Sequence, residues 1–141
     1  MSQVLTWPTT FRGDYVLDVL VGGVSVTAMI DTGLVDPAQL VGFELAPTVF
    51  DRLQGAGLLK QMATRTRRDA GGQKSLMKVG MASTVLAQPA TTEPAGPEVE
   101  VFVARSPEGL PNRVGLAFFH KLTGCQVSWE CSARTWSLSI P

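Results

Sequence analysis

Charge of either sign is scarce in this chain. Lys and Arg together number 12, Asp and Glu together 12, and charged residues make up 17% of the 141. With no basic excess there is no electrostatic footprint for nucleic acid or for an anionic membrane surface. Histidine occurs once, as His120, and cysteine twice, as Cys125 and Cys131. One His with two separated thiols makes a poor zinc set, so the sequence implies no metal and no cofactor. Cys125, Val127, Trp129 and Cys131 alternate with Gln126, Ser128 and Glu130, which reads as one strand with both thiols on one face. Such a strand advances roughly 20 Å between the two cysteines, whereas a disulfide spans no more than about 7 Å between Cα atoms. Two small, buried, free thiols are expected. Long apolar runs are also missing. The longest, Tyr15 to Ile30, is interrupted by Asp18, Gly22-Gly23, Ser25 and Thr27, so no membrane span is expected. The opening residues, Met-Ser-Gln-Val-Leu-Thr-Trp-Pro, show no basic segment followed by an apolar block, so no signal peptide is expected. The expectation is a soluble cytoplasmic protein.

What the chain does have is apolar content, 45%, punctuated by 14 glycines and 9 prolines. This suits a single domain, residues 1–141, built mainly of short strands. Leu17, Val19 and Val21 share one face of a strand over Tyr15 to Val21. Gly22-Gly23 is a two-residue hairpin signal, because both positions tolerate positive φ. Val24 to Ile30 then returns antiparallel. Leu34 to Leu45 reads as a loop. Pro47 suits the first turn of a short helix that carries Val49, Phe50 and Leu53 on its apolar side and ends at Gly55 and Gly57. Residues 61–69 and 73–81 pair as a second hairpin around Ala70-Gly71-Gly72. Its basic run, Arg65 to Arg68, reads as a solvated face. Strand continues from Val79 to Ala87. Gln88 to Glu98, with three prolines, reads as a loop, as does Arg105 to Asn112. Between them, Val99 to Ala104 is a strand. A short helix over Ala117 to Leu122, carrying Phe118 and Phe119, precedes two last strands, Cys125 to Cys131 and Thr135 to Ile140. In the second of these, Trp136, Leu138 and Ile140 form a core or interface face. The fold class is mainly β: a small closed barrel with one or two short helices.

The stretch with the clearest chemistry is Ala28-Met29-Ile30-Asp31-Thr32-Gly33. An apolar strand delivers one carboxylate at its end, and a hydroxyl residue and a glycine follow at once. A rigid apolar scaffold with amides and a hydroxyl nearby is what sets the protonation of a reactive acid. The rival reading is a turn cap, in which Asp31 bonds local amides. There is one such triplet, so an aspartic active site built on it would be shared between two copies.

The order of these parts resembles the retropepsin-like aspartic peptidases, the retroviral proteases and their cellular and bacterial relatives. The resemblance runs from about Tyr15 to about Leu138. It rests on Met29-Ile30-Asp31-Thr32-Gly33, a short helix over Thr48 to Gly55, a Gly-tipped hairpin at Ala70-Gly71-Gly72, and Asn112-Arg113-Val114-Gly115-Leu116-Ala117-Phe118-Phe119. It implies an acid-protease barrel and a homodimeric endopeptidase acting on a peptide or protein substrate, without cofactor. Asp31, Thr32 and Gly33 of each copy would form the catalytic centre. Leu34, Val35, Gly71, Gly72 and Val114 would contact substrate, with Gly71-Gly72 at the tip of a mobile flap. The extended ends of the chain would interleave between subunits, as they often do in the family. The sequence departs from the family pattern at Leu34, where Ala or Ser is usual, and at Val35 and Leu116, where viral members carry a paired acid and Arg. It departs again at Arg113, where an apolar residue is usual. Two other functions stay open: a catalytically inactive binding or scaffold protein on the same fold, and an unrelated small barrel.

Overall fold

The structure is a computed structural model that describes residues 3–8, 14–32, 34, 41–68, 71–89 and 91–141. Strands β1 (Gln3–Pro8), β2 (Val16–Val21) and β3 (Val24–Ile30) come first, followed by β4 (Val41–Leu45) and helix α1 (Pro47–Gly55). Strands β5 (Lys60–Arg68), β6 (Lys74–Ala87), β7 (Pro94–Arg105) and β8 (Arg113–Val114) lead to helix α2 (Leu116–Lys121). Strands β9 (Gln126–Glu130) and β10 (Thr135–Ile140) end the chain.

The larger sheet has the order β2-β3-β8-β4-β7-β6-β5, and β2 also pairs with β6. That last pairing, Val19↔Leu86 through Val21↔Thr84, closes the strands into a ring, while β5 pairs with the N-terminal part of β6, from Lys60↔Met81 to Arg68↔Lys74. A ring leaves few unpaired edges. Gly22 and Gly23 take φ of +58° and +85°, so the β2–β3 turn forms as its sequence predicts. The expected helix over 47–55 is present, with Pro47 in its first turn and Phe50 and Leu53 buried. Each such buried side chain contributes about 1.5–3 kcal/mol. On its exposed side, Asp51 pairs with Arg105 at the end of β7, Arg105 Nε donating over 3.0 Å.

Three expectations need correction. The segment 34–45 is not all loop: Val41–Leu45 is strand, and every residue in it is buried. Strand β4 lies between β7 and β8, and at Gly42 a Cβ would come within 3.3 Å of Phe118 and Val101. A glycine and an acid inside the run disguised it, because both are poor strand formers. Likewise, β7 begins at Pro94 rather than at Val99, pairing Pro94 with Ala87. The stretch from Cys125 to Cys131 does not bury a face. Strand β9 is exposed along its whole length, as the edge of the three-stranded sheet β1-β10-β9. Both cysteines are free as expected, but only Cys125 is partly buried, and Cys131 is exposed in the turn that follows. Within the chain the two ends also pair with each other: β1 runs antiparallel to β10, from Gln3↔Ile140 to Pro8↔Thr135.

That terminal sheet carries a pair of tryptophans in register, one of which ties it to β2 of the ring. Trp7 and Trp136 stack with centroids 4.9 Å apart, and both are about 99–100% buried, with 1% and 0% exposure. Trp136 also donates its indole N–H to the Val16 carbonyl over 2.6 Å. Leu138 and Ile140 are buried with it, as is Phe118, while Phe119 packs on the edge of the same core.

Candidate active site

Asp31 stands where β3 ends. Its backbone N–H donates to the Val114 carbonyl over 3.0 Å, and its own carbonyl accepts from the Leu34 N–H over 3.1 Å. The preceding ladder explains the placement. Strand β8 lies parallel to β3, with Met29↔Arg113 and Ile30↔Val114, and antiparallel to β4, with Phe43↔Val114 and Glu44↔Arg113. Two residues of β8 thus lock two longer strands together and place Asp31 at the seam. Asn112 tightens this junction: its side-chain oxygen accepts from the Ala46 N–H over 2.8 Å, and its carbonyl accepts from the Met29 N–H over 2.8 Å.

Gly115 is what lets this seam close. Its N–H donates to the Gly42 carbonyl over 2.9 Å. A Cβ on it would lie 2.6 Å from the Leu34 carbonyl oxygen and 3.1 Å from the Leu34 side chain. Leu34 therefore packs down on the β8–α2 junction, where a larger residue at 115 would have no room. Thr32 is exposed beside Asp31. Val114 is fully buried, so in the single chain it meets Asp31 through its carbonyl. Gly71 and Gly72 sit exposed at the tip of the β5–β6 hairpin, and Gly72 takes φ +80°. Gly33 and Val35 lie outside the described residues.

The side chain of Asp31 does not stand in an apolar setting. Arg113 Nη1 donates to Asp31 Oδ2 over 3.2 Å, and Arg113 Nη2 donates to Glu44 Oε1 over 3.0 Å. Arg67, from β5, donates Nη1 to the same Glu44 oxygen. The sequence marks Arg113 only as a departure from pattern, reads Arg67 as part of a solvated face, and gives Glu44 no role. The available signal was an acid inside the apolar run Val41–Leu45, since a buried carboxylate is retained only with cationic partners. The cluster is cross-strand in origin: Glu44 and Arg113 are direct register partners, and opposite charges in that relation attract. Clefts of about 420 and 310 Å³ lie elsewhere, one by Gln3, Val99 and Ile140 and the other by Thr64, Leu76 and Arg105, both away from Asp31. Among the described residues no group of three or more His, Cys, Asp or Glu is placed to hold a metal ion, and no helix is long and apolar enough to cross a membrane.

No protein-family model matches this chain, and no curated protein matches it in sequence. Solved structures do. The crystal structure of a retropepsin-like aspartic protease from Rickettsia conorii superposes with a TM-score of 0.64 at 16% identity, covering 99% of this chain and 92% of that one. At that identity the likeness is one of fold. The ring of strands, the two short helices and the Gly-tipped hairpin thus make up a retropepsin-like fold.

Proposed function

We propose that this chain is an aspartic endopeptidase that works as a homodimer, with Asp31 of two copies meeting across a two-fold axis. The observation that carries the reading is Asp31 itself: a partly exposed carboxylate at the end of β3, fastened by its backbone to β8, in a fold shared with an aspartic protease. Two carboxylates brought side by side share one proton. The ionised member takes a proton from a water held between them, and the resulting hydroxide attacks the peptide carbonyl carbon. The protonated member donates to the carbonyl oxygen, giving a tetrahedral intermediate. Collapse of that intermediate re-forms the carbonyl, returning its proton to the dyad, and breaks the C–N bond as the carboxyl that took the water's proton passes it to the leaving nitrogen. In this scheme Thr32 places its hydroxyl beneath the acids and fixes their spacing. Gly33 permits close backbone approach. Leu34 and Val35 border the substrate, the buried Val114 supports Asp31 from behind through its carbonyl, and the Gly71-Gly72 tip closes over the substrate. No metal or cofactor takes part.

A second reading is favoured by one contact, the ion pair from Arg113 to Asp31. A carboxylate committed to a guanidinium is a ligand-binding element as readily as a catalyst, so an inactive binding protein on the same fold is the alternative. Purified protein assayed on mixed peptides from about pH 4 to 7 separates the two. Hydrolysis that rises with the square of protein concentration at high dilution, and disappears in Asp31→Asn, is the expected result. Hydrolysis that persists unchanged in Asp31→Asn refutes the mechanism.

A further inference from the structure

We propose that Glu44 is a positioning residue that ties the β5–β6 hairpin to Asp31. This rests on the reading of Asp31 as half of an active site and extends it to how the flap is held. The tie is a chain of charge-assisted hydrogen bonds drawn from four strands or strand ends. Arg67 of the hairpin donates to Glu44 Oε1, Arg113 donates Nη2 to that same oxygen over 3.0 Å, and Arg113 donates Nη1 to Asp31 Oδ2 over 3.2 Å.

Burial shows which member is the anchor. Side-chain exposure is 3% at Glu44 and 12% at Arg113, rising to 26% at Arg67 and 30% at Asp31. The chain is thus pinned at its centre and open at both ends, one on the flap and one at the acid. Glu44 cannot move into water without dismantling β4, which is buried throughout. The guanidinium of Arg113 is planar, and its two terminal nitrogens address two different carboxylates. A shift at one carboxylate therefore reorients the donor to the other. Its Nε is buried without a partner among the described residues, so these two contacts are what orient it.

Arg67 and Arg113 compete for one oxygen of Glu44. With the flap down, Arg67 shares that oxygen, and Arg113 is correspondingly freer to serve Asp31. With the flap lifted, Arg67 leaves and Glu44 draws on Arg113 alone. The position of the hairpin and the hold on Asp31 are then coupled, and such coupling is reciprocal.

Reciprocity supplies a test that needs no catalytic turnover. Hydrogen exchange is followed at backbone amides of the hairpin arms, residues 64–67 and 74–78, in the unaltered protein and in Arg67→Gln, Glu44→Gln and Asp31→Asn. Exchange in the arms should quicken about three- to tenfold in Arg67→Gln, be restored towards the original rate in Arg67→Lys, and change by about twofold or more in Asp31→Asn. Asp31 is not on the hairpin, so a merely local role for Arg67 would not produce the last effect. Glu130→Gln, on the distant strand β9, should leave the arms unchanged. If hydrolysis is present, Arg67→Gln should lower kcat more than it raises KM. The proposal is overturned if Arg67→Gln exchanges as the unaltered protein does, or if Asp31→Asn leaves the hairpin rates untouched. Should Glu44→Gln fail to fold, the partly exposed Arg67 and Asp31 decide the matter. Coupled exchange in a protein that hydrolyses no peptide supports the tie and refutes the peptidase reading, so the two fail separately.

Discussion

Replacing Gly115 with Ala tests whether close packing at the seam sets the position of Asp31. The backbone at Gly115 is φ −107°, ψ 177°, which alanine adopts without strain, so conformation alone would make the change harmless. Restricting the unfolded chain would even stabilise the protein by about 0.4–1 kcal/mol. Space decides the outcome instead. The new methyl would sit 2.6 Å from the Leu34 carbonyl oxygen and 3.2 Å from the Leu34 Cβ, and the nearer of these is backbone, which cannot rotate away. Overpacking of this kind costs about 1–3 kcal/mol, so a net loss of about 1–2 kcal/mol is expected once the entropic gain is subtracted. For a chain of this length that lowers the melting temperature by about 3–8 °C. The Leu34 N–H donates to the Asp31 carbonyl, so the displacement should reach the acid. Backbone amide shifts of Leu34 and Asp31 should move more than those of the β9–β10 hairpin, and any peptide hydrolysis should fall. Thermal unfolding by circular dichroism, with amide spectra of the same samples, measures both. A melting temperature that is unchanged or raised would refute the steric account.

Two further outcomes follow from burial. Trp7 and Trp136 are equally buried, but the Trp136 indole N–H has the Val16 carbonyl as acceptor, whereas that of Trp7 has no partner among the described residues. Trp136→Phe should therefore cost about 1–3 kcal/mol more in denaturant unfolding than Trp7→Phe; equal midpoints would show that the hydrogen bond contributes nothing. Burial pushes the Cys125 thiol above its ordinary pKa, which lowers its thiolate fraction at any pH below that value. Cys131 is exposed, so iodoacetamide at about pH 8 should label Cys131 first, and peptide mapping that finds Cys125 modified first would contradict the placement.

The sequence by itself determined the features set within a few residues. The β2–β3 hairpin needed only alternation and a glycine pair that takes positive φ. Helix α1 needed a proline at its start and an apolar stripe, and β10 needed the alternation of Trp136, Leu138 and Ile140 with serines. These follow from local sterics and burial period, which neighbouring residues carry in full. Asp31 was legible for the same reason, as an acid ending an apolar strand before a turn. Its surroundings were not. The contact from Arg113 reaches Asp31 across a separation of 82 residues, and that from Arg67 reaches Glu44 across 23. Strand β4 hid behind Gly42 and Glu44 because its burial comes from β7, β8 and Phe118 rather than from its own pattern. The ring's closure through β2 and β6, the exposure of β9 and the pairing of the two chain ends were likewise decided by tertiary packing. Which partner a charge finds, and which face of a strand is covered, depends on segments brought together only when the chain folds, so these are properties of the assembled ring.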